Sequence, residues 1–147
     1  MSQQNVEIVR RLIEARHPGM TPTSEFPDPE IVELLDPDIE VDAALGGDLD
    51  GNYRGLGELA EMLQAFWGEF EDARTEIEEC LPAGDHVVLG VRFYGRGKSS
   101  GVKIDWPAWH VWTLRDGKAV HWRLVRTRRE ALEAVGLSDR DVPAAPS

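Results

Sequence analysis

Four successive segments in the second half of the chain alternate apolar and polar residues, which is the period of a half-buried β-strand. These segments cover residues 73–81, 87–93, 102–114 and 119–127. Short turns that contain glycine join them, so neighbouring strands are expected to run antiparallel. Whatever precedes the strands must cover one face of the resulting sheet, because a sheet needs a second layer to enclose a hydrophobic core.

The first half of the chain has a mainly helical pattern, in which apolar residues recur at intervals of three and four. The strongest stretch runs from Leu56 to Phe70. Another helix is predicted where Asp28, Pro29 and Glu30 supply an N-cap, a proline at the first helical position and an acid in the first turn. The predicted elements are helices over 5–17, 28–35 and 56–70, a strand over 39–43 and a glycine-rich loop over 44–54.

Helices gathered on one side of an antiparallel sheet define an α+β fold. We predict a cone-shaped roll in which a strongly curved antiparallel β-sheet wraps on the long helix, with two N-terminal helices and a short C-terminal helix over 128–135. The opening of such a cone is a natural pocket. At 147 residues the chain has the length of one domain, predicted over residues 1–137, and residues 138–147 are predicted to be a flexible C-terminal tail.

Composition and charge argue against several classes of function. The 16 Lys and Arg residues against 27 Asp and Glu residues give a formal charge of −11, which disfavours nucleic acid and anionic membranes as partners. No apolar run reaches the roughly 20 residues of a membrane span. The single cysteine, Cys80, excludes an internal disulfide and a cysteine metal cluster. Because the N-terminus has no signal-peptide pattern, a cytoplasmic location is expected.

The chain carries, in this order, the segments NVEIVRRLIEA, ELLDPDIEVD, YRGLGELAEML, HVWTLRDGKAVHWRL and REALEAVGL. As an ordered set they resemble the SnoaL-like family of the nuclear transport factor 2-like (ketosteroid isomerase-like) superfamily, over about residues 3–137. The resemblance implies the cone-shaped α+β fold. The superfamily hosts steroid isomerases, polyketide cyclases, dehydratases, epoxide hydrolases and members with no known reaction, so the fold alone assigns no reaction.

His110 is the first candidate for chemistry. Strand alternation places it on the same face as Trp106, Ala108, Trp112 and Leu114, which is the apolar face directed toward the long helix and the cone. An imidazole in an apolar pocket can donate a hydrogen bond to a substrate oxygen or move a proton near neutral pH. The alternative is a core histidine that is bonded to one backbone carbonyl. The resemblance implies a polar pocket residue at this position.

Asp42 is the second candidate, and its role is implied by the resemblance. Steroid isomerases of the superfamily carry a general-base aspartate near the end of the first strand, and the segment ELLDPDIEVD can align with it at Asp42. A shift of one residue instead turns Ala43 inward and leaves Asp42 facing water, because side chains alternate between the faces of a strand. Thr127 stands where many SnoaL-like members carry an aspartate, which argues against a simple copy of their acid–base chemistry.

Aromatic residues and two polar residues complete the predicted site. A flat aromatic lining stacks well on a ring-containing ligand, although the same residues can equally form core. Tyr53 is predicted either at the pocket edge or as an anchor of the glycine-rich loop. Arg126 is predicted at the pocket mouth if the last strand stays regular, or in solvent if that strand ends early. The predicted lining residues are Phe66, Trp67, Phe93, Trp106, Trp112 and Trp122. The histidines show no ligand spacing, so no metal site is predicted, and no cofactor is indicated.

Two surface features extend these predictions. Trp109 falls on the opposite face of its strand, where an exposed tryptophan often marks a partner surface. Superfamily members commonly dimerise through this outer sheet face, so the resemblance implies a homodimer around Trp109. The loop over 18–28 carries Met20 and Phe26, which form either a lid over the cone or part of an ordinary surface loop.

Three functions are compatible with these residues. The first is a small-molecule pocket protein that binds an apolar or ring-containing ligand in the cone, with no assigned reaction. The second is a cofactor-independent isomerase or cyclase, in which Asp42 takes a proton from the carbon next to a carbonyl and His110, with Tyr53, stabilises the enolate oxygen. The third is a partner-binding module that uses the outer face around Trp109.

Overall fold

A computed structural model describes residues 2–19, 32–45, 50–138, 140 and 141, and within them every side chain except those of residues 2, 14–19 and 67. The described part contains three helices and six strands. The helices are α1 (Ser2–Gly19), α2 (Gly55–Trp67) and α3 (Arg128–Ala134). The strands are β1 (Leu35–Ala43), β2 (Gly51–Arg54), β3 (Phe70–Ala83), β4 (His86–Gly97), β5 (Lys103–Arg115) and β6 (Lys118–Val125).

All six strands form one curved, open sheet with the order β2-β1-β6-β5-β4-β3. Neighbouring strands are antiparallel except β1 and β6, which are parallel. The parallel pair is possible because α2 and four strands lie between β1 and β6 along the chain, which leaves enough residues for the connection to cross back. The predicted α+β fold is confirmed, and the four strands of the second half are neighbours in the sheet.

Strand β1 begins at Leu35, where the sequence pattern predicts the end of a helix. Leu35 pairs with Ala119 on β6, and the pairing then shifts before it resumes at Glu40. The irregular stretch contains Pro37, which has no N–H to donate to a neighbouring strand, so the break in pairing accommodates the proline. The predicted helix therefore does not extend to Leu35, and its residues 28–31 lie outside the described part.

The predicted glycine-rich loop contains a short strand. Residues Gly51–Arg54 form β2, which pairs antiparallel with β1 and sets Tyr53 opposite Val41. Gly51 has a φ of 146°, a conformation that other L-residues rarely adopt, so a glycine allows the chain to enter the strand at this point. Residues 46–49 of the loop lie outside the described part, as do Met20 and Phe26 of the predicted lid.

The face of the sheet that carries Val41, Leu89, Trp112 and Trp122 is covered by helices, and we call it the inner face. Helix α1 packs mainly against β3 and β4, and α2 packs against β1, β2 and β3. Both helices bury the apolar stripe that their periodicity predicts, which stabilises the fold by roughly 1.5–3 kcal/mol for each fully buried large side chain. The buried helix residues are Ile8, Val9, Leu12 and Ile13 in α1, and Leu59, Met62 and Leu63 in α2.

The opposite face of the sheet, which we call the outer face, carries a smaller apolar cluster. Val111 and Val125 are buried there together with Ala131 of α3, and Trp109 packs against them. The ring of Trp109 lies over Gly90, where an added Cβ would stand 2.6 Å from the ring. The absence of a side chain at Gly90 therefore makes room for the tryptophan.

Thr127 caps the N-terminus of α3, since its Oγ1 accepts a hydrogen bond from the backbone N–H of Glu130 at 3.1 Å. We expect Thr127→Ala to lower the free energy of unfolding by about 1 kcal/mol, because the N–H loses its acceptor. Thr127→Ser keeps the hydroxyl and should stay close to wild type. Chemical denaturation compares the three proteins, and equal stability of the Ala and Ser variants would contradict the capping role.

Candidate functional site

His110 lies on the inner face of β5, where strand alternation predicts it. Its directly paired neighbours are Leu89 on β4 and Leu124 on β6. The side chain is buried, with 6% of its surface exposed, and its Nδ1 atom is inaccessible to solvent. The imidazole therefore brings polar nitrogen atoms into a largely apolar part of the core.

Two tryptophans pack beside the imidazole. Trp112 and Trp122 are paired across β5 and β6, and their rings stack with centroids 4.8 Å apart and planes at 8°. The His110 ring stands edge-on to Trp122 at 5.4 Å and is tilted against Trp112 at 6.2 Å. Both tryptophans are buried on the face that alternation predicts. We call these three rings the inner aromatic cluster.

The indole nitrogen of Trp112 is a buried hydrogen-bond donor. Its Nε1 atom forms no hydrogen bond with any residue that the structure describes. An unsatisfied buried donor costs about 1–3 kcal/mol, and such groups are rare in folded proteins. An acceptor from outside the described residues, such as a bound molecule or an ordered water, would remove this cost.

A second aromatic group lies near the beginning of β5. Phe66, Phe70 and Phe93 contact one another with ring centroids 5.1–5.2 Å apart. Trp106 stands at right angles to Phe70 at 6.0 Å, yet 48% of its surface is exposed. Trp106 therefore lies at the edge of the core on the face that alternation predicts, and its place in the ligand lining stays a prediction.

Two further residues of the predicted site, Tyr53 and Trp67, have different outcomes. Tyr53 is half-buried and packs against the inner-face core. This location agrees with its pairing opposite Val41, whose side chain is fully buried. The side chain of Trp67 lies outside the described part of the structure, so its place in the lining stays a prediction.

Asp42 faces away from the inner aromatic cluster. The buried residues on either side of it are Val41 and Ala43, which pair with Trp122 and Leu124 of β6. This is the second of the two registers that the sequence allows, the one in which Ala43 turns inward. The structure therefore does not bring the two predicted catalytic residues together.

The carboxylate of Asp42 takes part in hydrogen bonds on the outer face. Oδ1 accepts a hydrogen bond from Nδ2 of Asn52 at 2.8 Å, and Oδ2 lies 2.7 Å from Nε2 of His121. The bond from Asn52 is the main cause that holds the pKa of the Asp42 carboxyl below its ordinary value; partial burial opposes it, while His121 and Arg123 reinforce it. A carboxylate with a lowered pKa is a weaker base, which argues further against proton abstraction by Asp42.

Arg126 lies beyond the final strand. Because β6 ends at Val125, the chain leaves the sheet before it can carry Arg126 to the cone mouth. The side chain is exposed, and its Nε donates a hydrogen bond to the backbone carbonyl of Leu45 at 3.2 Å. Arg126 therefore lies in the short connection between β6 and the N-cap of α3 at Thr127. The prediction of Arg126 at the pocket mouth is corrected, and the alternative of a solvent-exposed side chain holds.

A polar cluster on the outer face is not predicted from the sequence. Glu40, Asp42 and His121 each offer one possible ligand atom, and these atoms lie within 4.8 Å of one another. Glu40 stands directly beside His121 because β1 and β6 run parallel. The alternation of acidic residues in β1 indicates that Glu40 and Asp42 share one face of the strand. No local sequence pattern, however, indicates that β6 and His121 lie beside them.

The sequence matches a known family over more than half of its length. The pattern of the SnoaL-like domain covers residues 23–122. The chain belongs to the SnoaL-like domain family. No curated protein matches this SnoaL-like chain in sequence. In the part of the chain that the structure describes, no helix combines the length and apolarity needed to cross a membrane.

Solved structures share this SnoaL-like fold at low sequence identity. A candidate SnoaL-like polyketide cyclase from Jannaschia sp. CCS1 is 21% identical, with a TM-score of 0.71 over 99% of this chain and 95% of that one. TerC, co-crystallised with polyporic acid, is 22% identical, with a TM-score of 0.69 over 90% and 97% of the two chains. A protein with a ketosteroid isomerase-like fold from Catenulispora acidiphila DSM 44928, in complex with trimethylamine, is 18% identical, with a TM-score of 0.67 over 93% and 98%. These likenesses confirm the predicted fold.

Proposed function

We propose that this SnoaL-like protein binds a small, largely apolar, ring-containing molecule on its inner face, and that the molecule accepts a hydrogen bond at the inner aromatic cluster. No reaction is assigned to it. The observation that carries the proposal is the buried Nε1 of Trp112, which forms no hydrogen bond with the described residues. A ligand oxygen is the kind of acceptor that would satisfy this donor.

The surroundings of that nitrogen favour an apolar ligand over a charged one. Leu89 and Leu124 flank the imidazole of His110 on the two neighbouring strands, and both are buried. A charged group would lose its hydration there at a high cost unless it found a partner. A ring, in contrast, packs favourably against indole and imidazole rings at centroid distances of about 4.5–7 Å.

Two proteins of the same fold are in keeping with a binding role. One was crystallised with polyporic acid and another with trimethylamine. At 22% and 18% identity the identity of those ligands does not transfer to this chain. They support the proposal only in that the fold occurs in proteins crystallised with small molecules.

A binding role accounts for the geometry better than the isomerase or cyclase hypothesis. That hypothesis needs a base within reach of the substrate that His110 contacts. Asp42 is on the other face of the sheet and is hydrogen-bonded to Asn52. Thr127, at the position where the resemblance implies an aspartate, serves as the cap of α3. Neither position offers a base to the inner face.

A matched pair of ligands tests the proposal. 1-Tetralone and tetralin share one fused ring system, but only the ketone carries a hydrogen-bond acceptor. We expect the wild-type protein to bind 1-tetralone about tenfold more tightly, because a buried hydrogen bond contributes about 1–1.5 kcal/mol. Calorimetric titration of both compounds measures the preference, and equal affinities would contradict the proposed hydrogen bond.

Two tryptophan variants locate the donor. Trp112→Phe removes the buried N–H and keeps a ring. The ratio of the affinities for 1-tetralone and tetralin should therefore fall close to one. Trp109→Phe is the control, because it removes an indole N–H from the outer face and should leave the preference unchanged. An unchanged preference in Trp112→Phe would contradict binding at the inner aromatic cluster.

The other predictions about partners and location are independent of this proposal. A homodimer through the outer face around Trp109 stays a prediction of the resemblance. Trp109 is half-buried within its own chain, where it packs over Gly90. A cytoplasmic location and a single domain over residues 1–137 also stay predictions.

A further inference from the structure

We propose that Glu40, Asp42 and His121 form a binding site for a divalent transition-metal cation on the outer face of the sheet. One carboxylate oxygen from each acid and one imidazole nitrogen lie within 4.8 Å of one another. The site is independent of the proposed ligand binding, because the inner aromatic cluster lies on the opposite face of the sheet. The histidines alone show no ligand spacing in the sequence, and His121 meets Asp42 across 79 residues of chain.

The sheet holds the three side chains in register. Glu40 stands directly beside His121 because β1 and β6 are paired in parallel at this point. Asp42 lies two residues further along β1, so its side chain points to the same face as that of Glu40. Side chains on paired strands are positioned more accurately than side chains on loops, so little ordering is needed when a cation binds.

The hydrogen bonds of Asp42 orient its carboxylate as a ligand. Asn52 donates from Nδ2 to Oδ1 at 2.8 Å, and Oδ2 is left facing Nε2 of His121 at 2.7 Å. Two donors of one small metal ion stand about 3.0–3.4 Å apart in octahedral or tetrahedral geometry when each lies about 2.1 Å from the ion. The pair therefore has to open only slightly for a cation to replace the proton between the two atoms.

The donor set suits a particular class of cation. Two carboxylates and a neutral imidazole together carry two negative charges, which balance a divalent ion. Nitrogen and oxygen donors without a thiolate suit Zn²⁺, Mn²⁺ or Co²⁺. All three residues are partly exposed, so water can complete the coordination. The formal charge of the chain, −11, also raises the local concentration of cations.

Two arginines oppose the cation. Arg54 forms an ion pair with Glu40 at 2.5 Å, and Arg123 is the residue paired with Asp42 on β6. The Arg54 side chain is 68% exposed, so it can turn into solvent when a cation takes Glu40, and an exposed ion pair contributes little to stability. Removal of Arg54 should therefore strengthen cation binding at this site.

Calorimetric titration of the full chain with zinc chloride, in a buffer that does not chelate zinc, tests this site. We expect one equivalent of Zn²⁺ to bind the wild type, and affinity to fall roughly tenfold or more in His121→Ala and Glu40→Gln, since each loses a ligand. Arg54→Gln should bind several-fold more tightly. His86→Ala is the control, because His86 lies on the same face but is hydrogen-bonded to Thr113, and it should match the wild type.

Three results would overturn the site. The first is no saturable binding by the wild type at millimolar zinc. The second is a zinc affinity of His121→Ala equal to that of the wild type. The third is a loss of binding in His86→Ala as large as that in His121→Ala. Circular dichroism establishes whether each variant is folded, and Glu40→Gln, a change of a single partly exposed side chain, decides the question if His121→Ala does not fold.

Discussion

Replacement of Trp112 by alanine is expected to lower the free energy of unfolding by about 3–5 kcal/mol. Trp112 has no exposed surface and stacks on Trp122 with ring centroids 4.8 Å apart. Truncation therefore removes a large buried apolar surface and leaves a cavity beside His110. The expected loss is a large share of the roughly 5–15 kcal/mol that stabilises a typical domain. Urea denaturation followed by circular dichroism measures it from the midpoint and the slope.

Trp106→Ala is the matched control, because it removes the same residue type from the same strand and the same face. Trp106 keeps 48% of its surface exposed and meets Phe70 edge-on. We expect its loss to cost about 1 kcal/mol, from the partial burial and the aromatic contact. Equal destabilisation by the Trp106 and Trp112 substitutions would contradict the difference in burial along β5.

Replacement of Gly90 by alanine is the second change with a large expected effect. The new Cβ would stand 2.6 Å and 2.7 Å from two ring carbons of Trp109, which is closer than real Cβ atoms approach a neighbour. The ring must move, and it is packed against the outer-face cluster that contains Val88 and Val111. Because overpacking of this kind costs about 1–3 kcal/mol, we expect Gly90→Ala to unfold at a lower denaturant concentration than the wild type.

A double-mutant cycle assigns that cost to the tryptophan. Trp109→Ala removes the ring that the new methyl group meets, so Gly90→Ala should cost much less in this background than in the wild type. The coupling free energy between the two positions is then expected to lie at about 0.5–3 kcal/mol. Strictly additive effects of the two substitutions would show that Trp109 does not lie over Gly90.

Much of the fold could be predicted because its elements are determined locally. The alternation through 87–93 and the spacing of Leu59 and Leu63 depend only on residues that are close in sequence, and both patterns are seen in β4 and α2. The parallel pairing of β1 with β6 depends on contacts between distant parts of the chain, so no local pattern indicates it. The same pairing places Leu35 in a strand, although the sequence pattern around Leu35 predicts the end of a helix.

The inner part of the site could be predicted for the same reason. Strand β5 is regular around His110 and Trp112, so alternation assigns both side chains to the correct face. Asp42 could not be assigned, because a shift of one residue reverses every side chain of a short strand. The place of Arg126 depends on where β6 ends. The strand ends at Val125 and the next helix is already capped at Thr127, and alternation within the strand does not indicate that end.

The most direct test of inner-face binding is a ¹H–¹⁵N NMR titration of the indole N–H groups with 1-tetralone. The five tryptophans give one indole signal each, and single Trp→Phe variants assign them. We predict that the signal of Trp112 shifts and saturates, while that of Trp109 on the outer face stays in place. A saturating shift at Trp109 with no change at Trp112, or no change in any indole signal, would contradict a ligand site at the inner aromatic cluster.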